Sequence, residues 1–358
     1  MNKKVAIIGV VGLPSKYGGF ETLAEYLTQY LSSEFDMTAY CSSKSYETKV
    51  DTHNGARLEY INLNANGVQS IPYDIVSIFK ALRYTDTLLI LGVSGCIVLP
   101  FVRVFSKKRI IVNIDGLEWK REKWGKSAKW FLKFSEKLAV KYADVVVTDN
   151  KVIQVYVKTE YAKDSALIAY GSDHVTKELL SDDLKVKYPF LENKYACKVC
   201  RIEPENNVHL ILEAFSEYEK LNIVMIGNWK NSEYGKKLKE KYSSFENIFL
   251  LDPIYDQRIL NQIRSSCFIY MHGHSAGGTN PSLVEAMYLG LPIFAYGVQY
   301  NKETTQSKAL YFNNKDGLLK LLENIDEDKL KIVAQSMKLV AMKNYTWEKI
   351  SNEYSRLF

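Results

Sequence analysis

An α/β chain built of two doubly wound parallel sheets is the fold class this sequence predicts, and three observations predict it. Short apolar runs recur along the chain, each followed by a polar or glycine-bearing loop and then by a stretch of helical apolar spacing, the pattern of repeated βα units. At 358 residues the chain is too long for one ordinary core and is expected to divide. The alternation also starts over: it reaches 166–169, gives way at 174–193 to a segment rich in Lys, Asp and Glu, and resumes at 195.

In the first half, residues 4–9 read as an apolar strand, followed by a long glycine loop (9–19) and a helix at 20–31 with Leu23, Tyr26, Leu27 and Tyr30 on one face. The loop is not a dinucleotide fingerprint. Its spacing is not GxGxxG, and the next strand (37–41) ends without an acidic residue for a ribose, which argues against a Rossmann dehydrogenase. Further strands are expected at 58–62, 87–91, 110–114 and 145–148, with helices at 73–84, 94–105, 125–142 and 150–157. The loop Asp115-Gly116-Leu117-Glu118-Trp119 leaves the carboxyl end of a strand, where open α/β sheets bind ligands. Asp115 and Glu118 are therefore candidates for catalysis or acceptor binding, with a capping role for the Asp as the alternative.

In the second half, strands are expected at 195–202, 222–226, 248–251 and 267–271, and helices at 208–218, 233–242 and 256–265. Arg201 at the end of the first of these strands is a candidate phosphate clamp, or else a simple ion-pair partner. The chain is organised around CFIYMHGHSAGGTNPSLVEAMYLGLPIFAY, residues 267–296. A strand opens it, a polar glycine loop follows, and a helix begins with Asn280 as N-cap and Pro281 in its first turn. Backbone N–H groups and the helix dipole make that junction an anion site. Gly277 and Gly278 let a phosphate approach the backbone, and Glu285, a turn into the helix, can accept bonds from ribose hydroxyls. Together these describe a nucleotide diphosphate. Two helical segments, 326–342 and 347–358, close the chain.

Hydrophobic content of 47% and charged content of 25% are those of a globular protein, and no apolar run approaches the ~18 residues of a membrane span. The N-terminus enters a strand directly without the pattern of a signal peptide, so a cytoplasmic protein is expected. Five scattered cysteines fit free thiols, and Cys197 and Cys200, a single CxxC on a strand, read as core rather than zinc ligands. The net charge of +6 is unevenly placed: residues 119–141 hold eight basic side chains against Glu122 and Glu136. On that helix Trp124, Ala128, Phe131, Ser135, Leu138 and Tyr142 form one stripe, expected to pack on the sheet, while Trp130 and Phe134 stand among the lysines. Lysines interleaved with aromatics suit an anionic membrane surface; a solvated helix face is the alternative, and nucleic acid is not expected as a partner.

The motifs resemble glycosyltransferase family 4, retaining enzymes of the GT-B fold. In chain order they are Gly18-Gly19-x-Glu21, Ala143-Asp144, Gly171-x-Asp173, Arg201 with Pro204-Glu205, Gly227, Glu285-Ala286-Met287 and Gly290-x-Pro292. KYGGFET, DGLEWKR, RIEPENN and HGHSAGGTNPSLVEAM are similar to the branch of bacterial capsule and O-antigen rhamnosyltransferases. The resemblance implies two Rossmann-like domains facing a cleft: 1–173 for the acceptor, 174–344 for the nucleotide sugar, and 345–358 as a helix crossing back to the first domain. It implies donor binding by Gly18, Gly19, Arg201, Asn206, His274, Gly277, Gly278, Thr279, Asn280 and Glu285. The family's catalytic-face histidine of the first domain is absent near Asp115, and two further departures stand out. Gly277 occupies the place of the family's first glutamate, and Asn206 that of its lysine. The implied reaction moves a sugar, with L-rhamnose from dTDP-rhamnose as the leading donor, to a lipid-linked saccharide, with Arg201 and the loop amides stabilising the leaving phosphate. No DxD motif is found outside Asp326-Glu327-Asp328, which reads as a helix start, and neither a metal nor another cofactor is expected. A UDP-hexose transferase, an epimerase and a silent nucleotide-sugar binding protein are the alternatives.

Overall fold

The computed structural model describes residues 2–16, 18–121 and 124–358. Tyr17 of the first glycine loop and Glu122 and Lys123 of the basic segment lie outside them. The chain divides into two units, one of residues 1–171 with Trp347–Phe358, the other Ser172–Thr346.

The first unit runs β1 (Lys4–Ile8), α1 (Gly19–Leu31), β2 (Asp36–Ser42), β3 (Thr52–His53), β4 (Ala56–Ile61), α2 (Ser70–Ala81), β5 (Thr87–Leu91), α3 (Leu99–Phe105), β6 (Arg109–Asn113), α4 (Lys126–Tyr142), β7 (Val145–Thr148), α5 (Lys151–Tyr161) and β8 (Ala166–Leu167). Its sheet has the order β3-β4-β2-β1-β5-β6-β7-β8 and is parallel except for the short β3–β4 pair. Val5 to Ile8 and Leu88 to Leu91 are buried throughout, as strands covered on both faces must be. The expected helix at 94–105 is instead a 3-10 turn, Cys96–Val98, leading into α3. Pro100 in the first turn of α3 loses no helical hydrogen bond there.

The second unit runs α6 (Asp182–Lys187), β9 (Tyr195–Val199), α7 (Val208–Glu217), β10 (Asn222–Ile226), α8 (Glu233–Tyr242), β11 (Ile248–Leu251), α9 (Gln257–Ser265), β12 (Ile269–His272), α10 (Pro281–Tyr288), β13 (Ile293–Tyr296), α11 (Gln299–Thr304), β14 (Leu310–Phe312), α12 (Lys315–Glu323) and α13 (Glu327–Asn344). The sheet order is β11-β10-β9-β12-β13-β14, wholly parallel. The charged segment 174–193 is not a bare connection but belongs to this unit. α6 lies within it, capped by Ser181, and Ser181 N donates to Gln262 Oε1 (2.8 Å). Asp326 caps α13 by accepting from Asp328 and Lys329 backbone N–H groups. Cys197 and Cys200 are buried and free, like the other three cysteines. Among the described residues no helix is long and apolar enough to cross a membrane.

The final helix, α14 (Trp347–Ser355), is part of the first unit. Trp347, Ile350, Tyr354 and Phe358 enter the core formed by Val5, Ile7, Leu23 and Leu27. Tyr26 stacks on Trp347 with centroids 4.4 Å apart, and Asn113 Nδ2 donates to Tyr354 Oη at 2.9 Å.

Candidate functional site

Chain order in the second unit creates the site. From β9 the chain steps outward to β10 and β11, then returns across β9 to add β12, β13 and β14 on the other side. The loops after β9 and β12 therefore part at a topological switch point, where open sheets bind ligands. Both loops are fixed by bonds between them. Asn207 Nδ2 donates to Gly273 O at 2.8 Å, and Ser275 donates through its N (2.8 Å) and Oγ (2.9 Å) to Glu205 O. From α11, Asn301 Nδ2 donates to His274 O (2.9 Å) and Tyr296 O (2.8 Å).

The loop 273–280 feeds α10. Asn280 Oδ1 caps the helix, accepting from Ser282 N at 3.1 Å and Ser282 Oγ at 2.7 Å, so its side chain holds the junction in shape. Gly277 has φ +121°, and a Cβ there would meet no heavy atom within 4 Å. Conformation, not crowding, demands glycine at that position. Arg201 lies two residues beyond β9 with its side chain 48% exposed, and its Nε is 3.8 Å from Glu203 Oε2. Asn206 is buried, and its amide donates to Arg201 O at 2.6 Å. It shapes the turn that presents Arg201 and brings no charge to the loop.

Glu285 points inward from α10. Oε2 accepts from the guanidinium of Arg264, and Oε1 lies 3.2 Å from His174 Nε2. Arg264, at the end of α9, is only 1% exposed and also donates to Asn261 Oδ1 at 3.0 Å. Burial opposes the carboxylate's charge, but Arg264 and His174 outweigh it and hold Glu285 at about 2. The sequence reading missed both partners. The available signal was an arginine amid Ile263, Ser265 and the apolar strand behind it.

The remaining candidates belong to the first unit. Gly18 and Gly19 sit at the start of α1, and carboxylates of that helix hold the loop before them: Val11 N donates to Glu21 Oε1 and Ser15 N to Glu25 Oε2, both at 2.8 Å. Asp115 and Leu117 both adopt left-handed backbone, with φ of 60° and 55°, a strain concentrated in the loop after β6. Asp115 does not cap the following 3-10 turn, whose N-cap is Leu117. Glu118 accepts from Arg121 Nε (2.6 Å) and Trp124 Nε1 (3.1 Å), which fastens this loop to itself.

Two wound α/β sheets with a ligand-ready switch point define the class, the GT-B fold. The likeness to solved structures agrees along the whole chain. Sucrose-phosphate synthase from Thermosynechococcus elongatus matches with TM-score 0.81 at 12% identity, over 99% of this chain and 98% of that one. Anabaena HepE, in complex with UDP and glucose, matches with TM-score 0.77 at 13% identity over 99% of both. Trehalose-6-phosphate synthase OtsA matches with TM-score 0.73 at 11% identity, again over 99% of both. Residues 181–342 match the family described as Glycosyl transferases group 1, and residues 2–173 match a domain of unknown function (DUF1972). The two matches fall one on each unit of the fold, DUF1972 on the first and Glycosyl transferases group 1 on the second. No curated protein sequence matches it.

Proposed function

We propose that this protein is a retaining, metal-independent glycosyltransferase that moves a sugar from a nucleotide diphosphate to a hydroxyl of a lipid-linked saccharide. The observation that carries the reading is the switch point of the second unit: an exposed Arg201 after β9, and a capped glycine loop opening a helix after β12, with an ionised Glu285 beyond it. The departing phosphate gathers negative charge as the glycosidic bond breaks. Arg201 and the N–H groups of 277–279 stabilise that charge without reorganising. No protein nucleophile is required, since the leaving phosphate can take the acceptor's proton. Glu285 keeps lone pairs beyond those used by Arg264 and His174, and these accept from the ribose.

The proposed sugar is a deoxyhexose, L-rhamnose from a dTDP donor. Open space surrounds Gly277, and His274 and Thr279 supply the polar contacts nearby. A UDP-hexose is the second reading, favoured by the UDP and glucose held in the structurally similar HepE. A lipid-borne acceptor fits the exposed aromatics beside the lysines of α4, and we place the enzyme at an anionic membrane surface.

A thermal-shift and calorimetric panel of dTDP-, UDP- and GDP-sugars tests the donor. Arg201→Ala is expected to weaken binding of the cognate nucleotide diphosphate about ten- to a hundredfold, the roughly 1.5–3 kcal/mol of a charged hydrogen bond. Turnover of labelled donor should persist in EDTA. Absence of binding across the panel, or an unchanged Kd in Arg201→Ala, rejects the reading.

A further inference from the structure

A buried lysine lies beneath the glycine loop and is used by nothing described so far. Lys198 sits near the end of β9, in line with Ala196 and Cys200, which belong to the hydrophobic core of the second unit. The residue is 1% exposed, and among the described residues its Nζ has no hydrogen-bond partner and no counter-ion. An uncompensated ammonium in such a place is costly, and a methionine of similar length would fill the space without that cost. The side chain is not lost in the core. It reaches the first residue of the loop after β12, where a Cβ on Gly273 would lie 3.0 Å from Nζ and 2.3 Å from Asn206 O. The loops after β9 and β12 therefore meet directly over the charge, and only glycine leaves room for them.

No carboxylate among the described residues hydrogen-bonds to the Lys198 Nζ. His272, at the end of β12, is kept neutral by burial and by the nearby Lys198 charge, and it stacks on His274 with centroids 4.4 Å apart. The nearby thiols are Cys197 and Cys200, and burial raises the latter's pKa. Burial likewise lowers the pKa of Lys198. Asn206 has turned its amide to Arg201 O. When protonated, a lysine in so dry a place projects its field into the loop above it, where water does not screen it.

We propose that Lys198 is a buried counter-charge for the phosphates of the bound nucleotide diphosphate, acting through the glycine loop rather than by direct contact. The proposal rests on the nucleotide-diphosphate reading of the site. Charge that is unsatisfied in the free protein is compensated when the ligand's phosphates settle on the loop amides, so the cost of burial is carried by the empty state and relieved on binding.

Lys198→Met and Lys198→Leu test this, each compared with wild type for melting temperature and for binding of UDP, dTDP and the uncharged nucleosides uridine and thymidine. The expected result is an empty protein that melts higher than wild type, a Kd for the preferred diphosphate weakened about ten- to a hundredfold, and nucleoside affinity unchanged. Equal diphosphate affinity in wild type and variants overturns the proposal. So does a parallel loss of nucleoside binding, a lower melting temperature or a failure to fold, since each would make Lys198 a structural residue. A wild-type protein that binds no diphosphate instead rejects the function proposed above, and with it the ligand on which Lys198 acts.

Discussion

Glu285 has one observed duty, its pairing with Arg264 and His174, and one proposed, the ribose contact, and its partners decide how the second can be tested. In the Arg264–Glu285 pair the arginine is buried and the glutamate only 16% exposed, so removing the carboxylate strands a buried guanidinium. Breaking such a pair costs about 3–5 kcal/mol. Glu285→Gln is therefore expected to lower stability by that order in urea unfolding, whereas Arg264→Met combined with Glu285→Leu recovers most of the loss. A binding defect in Glu285→Gln alone would not separate ribose contact from a loosened α10. The pH dependence has a definite sign. The carboxyl is held at about 2, below its usual 4.5, so its contribution is complete above pH 4.5 and drains away as the pH falls toward 2. Its size is roughly 3 kcal/mol. Unfolding midpoints of wild type should fall through that acid window, and those of Glu285→Gln should lack this component. An identical acid profile in both would show that Arg264 and His174 do not set the ionisation.

At the scale of the element, α4 and α3 explain how a membrane would be met. The buried stripe of α4 is Leu132, Ser135, Glu136, Ala139 and Val140, rotated from the expected one through Trp124, Phe131 and Leu138. The reason is Glu136: its carboxylate is buried yet accepts from Trp119 Nε1 (3.0 Å), Tyr156 Oη (2.6 Å) and Tyr161 Oη (2.6 Å). A satisfied carboxylate on the inner face is invisible to apolar spacing. The outer face then reads Lys126, Trp130, Phe134, Lys137 and Lys141, with Trp130 69% exposed and stacked on Phe134 at 5.6 Å. α3 adds exposed Phe101, Val104 and Phe105, the last 72% exposed. Lys133 is not part of this face, being tied to Glu136, Glu160 and Tyr156. Co-sedimentation with phosphatidylglycerol vesicles should therefore be lost in Lys126→Glu/Lys137→Glu/Lys141→Glu, at about 1 kcal/mol per lysine, and in Trp130→Ser/Phe134→Ser. It should also weaken at high salt. Equal recovery in the supernatant with and without anionic lipid would leave both helices as ordinary surface.

At the scale of the molecule, the last twelve residues close the first unit from the far end of the chain, through Trp347 in the core and a bond from the Lys3 ammonium to Phe358 O. Trp347→Ala is expected to cost about 3–5 kcal/mol, and deletion of 345–358 should lower the melting temperature and the activity together. A truncated chain with the wild-type melting curve would deny α14 that role. Sequence alone determined the wound α/β class, since parallel strands covered on both faces must be continuous apolar runs and each must be followed by a crossover helix. It also determined the glycine loop with its Asn280 cap, because capping and turn chemistry are local. It did not disclose α11, β14 or α12: QYNKET is short and polar, LYF is three residues long, and Gly317 interrupts the last. Nor did it disclose which groups Arg264, His174, Glu136 and Lys198 face. Those residues are charged or titratable and wholly or largely enclosed, and an enclosed charge is defined by the partner that folding brings to it, or withholds from it. Spacing along a chain records which side chains are apolar; only the packed sheet decides which polar ones are enclosed, and with whom.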